Sequence, residues 1–198
     1  SITTATVDLD AKLLNTTGIL FCEGYVWDSP TARAAFLEAA ARVKSGGGRI
    51  GFSLSDTFCV ERHKPDFLDL FARDIDILLA NFAEAQALLD VTDMADIIAA
   101  MQNAGVDGAI TCGEEGAVIV RGDEAVRVAA HAVETVTDLT GAGDQFAAGY
   151  LCGVARGRSA QTCGRMGALG AAEVSQQFGP RPAIDLRAVV AAHGFESG

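Results

Sequence analysis

The sequence lacks the marks of several common partners. It has no basic run, and 15 Lys and Arg stand against 26 Asp and Glu, a net charge of −11. That argues against nucleic acid or an anionic membrane surface as the main partner. A small anion is not excluded, because backbone dipoles can hold one on an acidic protein. The five cysteines (Cys22, Cys59, Cys112, Cys152 and Cys163) include no C-x-x-C pair, and their number is odd. They read as reduced, mostly buried thiols of a cytoplasmic protein rather than a disulfide framework. His63, His131 and His193 lie far apart and make no metal-site spacing. No apolar stretch approaches the roughly 20 residues that span a bilayer. There is no charged-then-apolar leader, and the chain opens "SITTATVDLD", without Met.

What is present suits a folded α/β domain. The chain has 198 residues, of which 49% are hydrophobic and 21% charged, enough to bury a full core. "GILFCEG" (Gly18 to Gly24) is a short apolar run, as expected of a buried parallel strand. A helix follows, with Ser29 as its cap and Pro30 in its first turn. Ala32, Phe36, Ala39, Ala40 and Val43 form its apolar stripe, and "SGGG" stops it. "RIGFSLS" reads as the next strand, and "CVERHKPDFLDLFARD" as a loop and helix with a break or a helix start at Pro65. "IDILLA" is a strand, "FAEAQALL" and "MADIIAAMQNAG" are helices, and "GAITCG" is a strand. This alternation predicts a mostly parallel sheet with helices on both faces. "GAVIVRGDEAVRVAA" then predicts an antiparallel edge hairpin turning at Gly122-Asp123. From Gly141 the chain reads as helix to the end, broken at "FGPRP". Residues 1–198 are expected to form a single α/β domain.

The chemistry gathers at "TDLTGAGDQFAAGYL" (Thr137 to Leu151), where Gly141-Ala142-Gly143-Asp144 opens an apolar helix. A helix N-terminus carries unpaired N–H groups and a partial positive charge, so it can seat a phosphate. Glycine lets the backbone approach the anion. Asp144 would repel that anion, so its charge makes sense if it faces a hydroxyl and takes the proton as the oxygen attacks phosphorus. A plain turn with a first-turn acid is the simpler account of four such residues alone. The stretch is neither a Walker A loop, lacking G-K-[ST], nor a G-x-G-x-x-G fingerprint, since Phe146 stands where the third glycine belongs.

"DLTGAGDQFAAGYLCGVARG" resembles the C-terminal signature of the ribokinase-like, phosphofructokinase-B type carbohydrate kinases, D-T-x-G-A-G-D-x-F-x-A-G. Asp138, Thr140, Gly141, Ala142, Gly143, Asp144, Phe146, Ala148 and Gly149 match, and Leu139 departs from the commoner Thr. "NFAE" (Asn81 to Glu84) resembles that family's N-x-x-E motif, and "TCGEEGA" (Thr111 to Ala117) its T-x-G-x-x-G-A turn. "GYVWDSP", "FSLSDTFCVERH" and "CGRMGALGAAEV" resemble its adenosine kinase-like sugar kinase branch. The likeness runs from about Gly18 to Pro182. It implies a three-layer α-β-α, ribokinase-like fold and an ATP- and Mg²⁺-dependent kinase acting on an alcohol of a sugar or nucleoside. It implies Asp144 as catalytic base and the N–H groups of Gly141, Ala142 and Gly143 as the seat of the transferring charge. Asn81 and Glu84 would order Mg²⁺ through water, and Thr111, Gly113 and Gly116 would line the nucleotide. Asp138 and Thr140 would hold K⁺, with the turn near Gly179 closing that site. Local structure also accounts for some of these residues: Asn81 and Glu84 make a capping box, and Gly164, Gly167 and Gly170 read as close helix packing rather than a ligand loop. Asp56, Arg62 and His63, near a strand end, fit a solvated loop as well as a site.

The family's early G-x-D and its G-G-x-x-x-N segment, which bind the acceptor and build the lid, have no counterpart here. The chain therefore reads as the C-terminal portion of a longer kinase, able to bind Mg·ATP but slow or inactive alone. A catalytically inactive nucleotide-binding or oligomerisation module is the competing account, and a vitamin or pyrimidine kinase of the same fold a third. The missing strands would leave a sheet edge uncovered, which predicts a two-fold homodimer. Sedimentation checks this: a dimer at high concentration is expected, and a monodisperse monomer contradicts it.

Overall fold

The computed structural model describes residues 10–195. Its described residues fall into two compact units. One holds the chain up to Ile110 together with Val120–Asp123, and the other holds Thr111–Ile119 together with the chain from Glu124 onward. The six strands follow one another in chain order within one sheet.

The first unit begins with α1 (Ala11–Thr16), capped by the Asp10 carboxylate. Then come β1 (Ile19–Glu23), a 3₁₀ turn over Gly24–Asp28, α2 (Pro30–Ser45) and β2 (Arg49–Ser53). α3 (Thr57–Arg73), β3 (Ile77–Asn81), α4 (Phe82–Leu89), α5 (Met94–Ala104) and β4 (Asp107–Thr111) complete it. β1 pairs parallel with β2, and β2 with β3. β1 stands at the end of the strand order, an edge position.

Local chemistry explains most boundaries. Ser29 accepts from Ala32 N–H and Pro30 fills the first turn of α2, as expected. α2 buries Ala35, Phe36, Ala39, Ala40 and Val43. Ala32, expected on that stripe, is only half-buried. α3 departs further from expectation. It starts at Thr57, ahead of the expected loop, because the Asp56 carboxylate accepts from Cys59 N–H at 2.6 Å. Pro65 lies inside the helix rather than at its start, and the backbone leaves helical geometry at His63. Proline has no N–H for the preceding turn and disfavours helix in the residues before it, so the helix kinks there instead of ending.

The core of this unit is aromatic. Trp27, only 4% exposed, meets Phe36, Phe52 and Phe67 edge-on with ring centres 5.5, 5.3 and 5.7 Å away. Phe52 and Phe67 lie 5.1 Å apart. Such edge-to-face sets add about 0.5–1.5 kcal/mol per pair beyond the area they bury. One polar stitch joins strand starts: Arg49 pairs with Asp107 at 2.7 Å, and Asp107 also accepts from Gly122 N–H.

The second unit contains β5 (Ala117–Arg121 in full) as far as Ile119, β6 (Glu124–Val128), α6 (Ala142–Ala155), α7 (Ala160–Ser175) and α8 (Leu186–Ala192). The turn between β5 and β6 falls at Gly122-Asp123, as the hairpin signal predicts. α6 and α7 lie close because glycines face each other. A Cβ on Gly149 would stand 2.3 Å from the Met166 carbonyl, and one on Gly170 2.6 Å from that of Gln145. Gly167 abuts Phe146, and Gly164 faces Ile119 and Val128. The three-residue glycine spacing is thus a helix-packing device.

Candidate functional site

Six helices begin with a side chain bonded to their free N–H groups. Asp10, Ser29, Asp56, Asn81, Asp93 and Ser159 cap α1, α2, α3, α4, α5 and α7. α6 does not: its N-cap is Gly141, which has no side chain to donate into. Gly141 adopts φ +81°, and a Cβ there would lie 2.6 Å from Pro180. No other residue fits both the conformation and the space. Of the three N–H groups expected to hold a phosphoryl charge, that of Ala142 donates to the Leu139 carbonyl at 3.1 Å. This bond closes the turn into the helix. A Cβ built on Gly143 would meet nothing within 4 Å, so its backbone faces open space. Asp144 is exposed in the same first turn.

A carboxylate clamp holds this turn. Asp138 Oδ1 accepts from Thr140 N–H at 2.9 Å and from the Thr140 hydroxyl at 2.7 Å. Oδ2 accepts from Gly179 N–H at 3.0 Å. These bonds, the Thr140 hydroxyl foremost, hold the Asp138 carboxyl below its usual value. Thr137 N–H also bonds the Ser175 carbonyl at 2.8 Å. Asp138, Thr140 and the turn at Gly179, linked in the sequence reading, are therefore in contact.

Thr111 ends β4, and the chain then turns through Gly113–Glu115. Cys112 N–H bonds the Gly116 carbonyl at 2.7 Å, and Gly116 N–H bonds that of Gly113 at 3.1 Å. Gly116, at φ +91°, lies so close to residues 128–130 that a Cβ would be 2.0 Å from the Val128 carbonyl. Its glycine is a packing requirement. Gly113 faces open space, which suits the approach of a ligand.

In the first unit Asn81 and Glu84 form the complete capping box. Glu84 Oε2 accepts from Asn81 N–H at 3.0 Å and Oε1 from the Asn81 side chain at 2.6 Å. Glu84 is 6% exposed. Burial raises its pKa, and the charge of Asp56 raises it further. A buried carboxylate in the field of a second one favours a cation nearby, so a divalent ion reached through water suits these residues. Among the described residues no three His, Cys, Asp or Glu side chains gather to hold a metal directly.

The sequence leaves Asp56, Arg62 and His63 open between a solvated loop and a site, and the structure gives each a side-chain partner. Tyr25 donates its hydroxyl to Asp56 at 2.5 Å. Asp28 meets His63 Nε2 at 2.8 Å and accepts from Arg62 at 3.0 Å, which lowers the Asp28 pKa. Sequence order gives no signal of these pairings, because their members lie on separate elements.

The pfkB family carbohydrate kinase model matches residues 2–186. This chain belongs to that family. An adenosine kinase structure from Sinorhizobium meliloti matches with TM-score 0.92 and 38% identity, covering 96% of this chain and 59% of its own. A probable sugar kinase from Rhizobium etli matches with the same TM-score and identity, covering 96% and 58%. The cytidine kinase of Thermococcus kodakarensis is 30% identical over 154 residues, 76% of this chain and 55% of that protein. The chain thus spans a little over half the length of these relatives. The structural matches bear out the expected three-layer α/β, ribokinase-like fold with a mostly parallel sheet and antiparallel later strands. No helix among the described residues is long and apolar enough to cross a membrane.

The clamp gives a pH prediction. A folded-state pKa below the unfolded value makes the Asp138 contribution complete at neutral pH and lost as pH falls through the folded value. The Gly179 amide resonance should therefore titrate with a midpoint below the ordinary aspartate value of 3.8. A midpoint at or above that value contradicts the clamp.

Proposed function

We propose that residues 1–198 act as one catalytic portion of an ATP-dependent kinase that phosphorylates an alcohol group of a sugar or nucleoside. The observation that carries this reading is the uncapped start of α6, with Gly143 facing open space and Asp144 exposed beside it. The N–H groups at that start stabilise charge building on the transferring phosphoryl group. Asp144 accepts the acceptor hydroxyl's proton as its oxygen bonds to the γ-phosphorus, while the bond from that phosphorus to the bridging oxygen breaks and ADP leaves. Asn81 and Glu84 order Mg²⁺ through water. That ion, when bound, neutralises phosphate charge. Thr111, Gly113 and Gly116 line the nucleotide, with Gly113 the point of approach. Asp138 and Thr140 retain lone pairs for K⁺.

Similarity to the adenosine kinase and cytidine kinase supports a nucleoside acceptor, and the family's carbohydrate kinases support a sugar. The free cysteines suit a reducing cytoplasm. One observation favours a second reading, a nucleotide-binding module without turnover: both Glu84 oxygens are already engaged by Asn81.

Asp144→Asn, made in the longest polypeptide that carries this chain, tests the assignment. It should lower kcat about 10²–10⁴-fold and leave Mg·ATP binding unchanged. Near-normal turnover would remove Asp144 from the reaction. Mg·ATP binding by the unsubstituted protein, with no turnover of sugars or nucleosides, would favour the second reading.

A further inference from the structure

In the first unit, two polar clamps that take no part in the phosphoryl transfer converge on the start of α3. β1, β2 and β3 run parallel, with Glu23 beside Ser53 and Ser53 beside Leu79. The chain therefore leaves all three strands at the same end of the sheet. Past that end stand Tyr25 in the 3₁₀ turn, Asp56 ahead of α3, and Asn81 and Glu84 at the start of α4. Leu54 N–H bonds the Leu79 carbonyl at 3.1 Å, so the segment that reaches Asp56 stays laced to β3. The Ser55 hydroxyl, next in the chain to Asp56, is buried without a hydrogen-bond partner among the described residues.

The first clamp holds both oxygens of Asp56. Oδ1 accepts from Cys59 N–H at 2.6 Å, and Oδ2 from the Tyr25 hydroxyl at 2.5 Å. These bonds, the Tyr25 hydroxyl foremost, lower the Asp56 pKa and keep it charged. The second clamp lies further along the helix. Asp28, the last residue of the same 3₁₀ turn, accepts from Arg62 at 3.0 Å and meets His63 Nε2 at 2.8 Å. His63 is where α3 leaves helical geometry, ahead of Pro65. A proline kink interrupts the backbone ladder, so side chains must set the angle of the turns before it. The Arg62 and Asp28 side chains are 48% and 45% exposed, where an ion pair adds little stability. Their placement at the kink is what distinguishes them.

That rigidity has a use at Glu84, which feels the charge of Asp56. Two carboxylates fixed in one another's field repel, and a cation reached through water relieves the repulsion. We propose that Asp56 is a second carboxylate of the divalent-cation site at Glu84, and that Tyr25, Asp28, Arg62 and His63 are positioning residues that fix it there. This rests on the reading of Asn81 and Glu84 as the residues that order the cation. It adds a charge from outside the N-x-x-E motif.

Mn²⁺ alone is the probe, and the fall of its free EPR signal measures binding to the 198-residue chain. Glu84→Gln can keep the capping box and should abolish saturable binding. Asp56→Asn can keep the helix cap while removing the charge, and should weaken binding about tenfold. Tyr25→Phe, at an exposed position, should weaken binding in the parent chain and have no further effect in Asp56→Asn. A merely structural residue would not show that dependence. Asp28→Asn should behave as Tyr25→Phe does. Binding lost in Glu84→Gln but unchanged in Asp56→Asn overturns the proposal and leaves the Glu84 cation site standing. Binding that ignores both substitutions, or no saturable binding by the parent chain, overturns the proposal and the Glu84 site together. Additive losses from Tyr25→Phe and Asp56→Asn overturn the positioning role. The kinetics of Asp144→Asn decide the reaction separately from all of these.

Discussion

The bridge from Asp138 to Thr140 and Gly179 is the constraint on which the candidate site rests. One carboxylate joins the strand of chain before α6 to the turn after α7. Pro180 then lies so close to Gly141 that no side chain can stand there. The helix must begin on a residue with nothing to cap it. Its free N–H groups are left to water or a ligand, so an anion seat follows from packing several residues away.

That arrangement has a cost. A capping side chain stabilises a helix by about 1 kcal/mol, and six other helices here have one. α6 makes up the difference in its seam with α7, where Gly149, Gly167 and Gly170 bring the two backbones together. A local rule broken at one helix start and offset by packing elsewhere is the pattern expected where function sets the sequence. Glu84 shows the opposite case. Its capping box is complete, and its buried carboxylate serves structure in the form described. Its service to a cation is an added demand on the same atoms.

Much of the fold is legible because its signals are local. Ser29-Pro30, the Asn81–Glu84 box and Gly122-Asp123 each specify a boundary within four residues, and each boundary falls where the chemistry says. The Gly-Ala-Gly-Asp start of α6 is legible for the same reason. Pro65 misleads because a proline reads as a break, whereas the Asp56 cap and the packing of Phe67, Leu70 and Phe71 carry the helix through it. The Trp27 cluster and the Asp28–Arg62–His63 network are not legible, since their members come from separate elements. The turn bond from Ala142 to Leu139 is also invisible in the sequence, which presents three equivalent N–H groups where one is already engaged.

The central claim is that the uncapped start of α6 receives a phosphoryl group. Calorimetric titration of this 198-residue chain with Mg·ATP tests it most directly, repeated with Gly143→Ala, which places a methyl group in the open space before the helix without meeting another atom. Saturable binding by the parent chain, weakened by that methyl, is the predicted result. Binding that ignores the methyl, or no binding at all, would contradict the account.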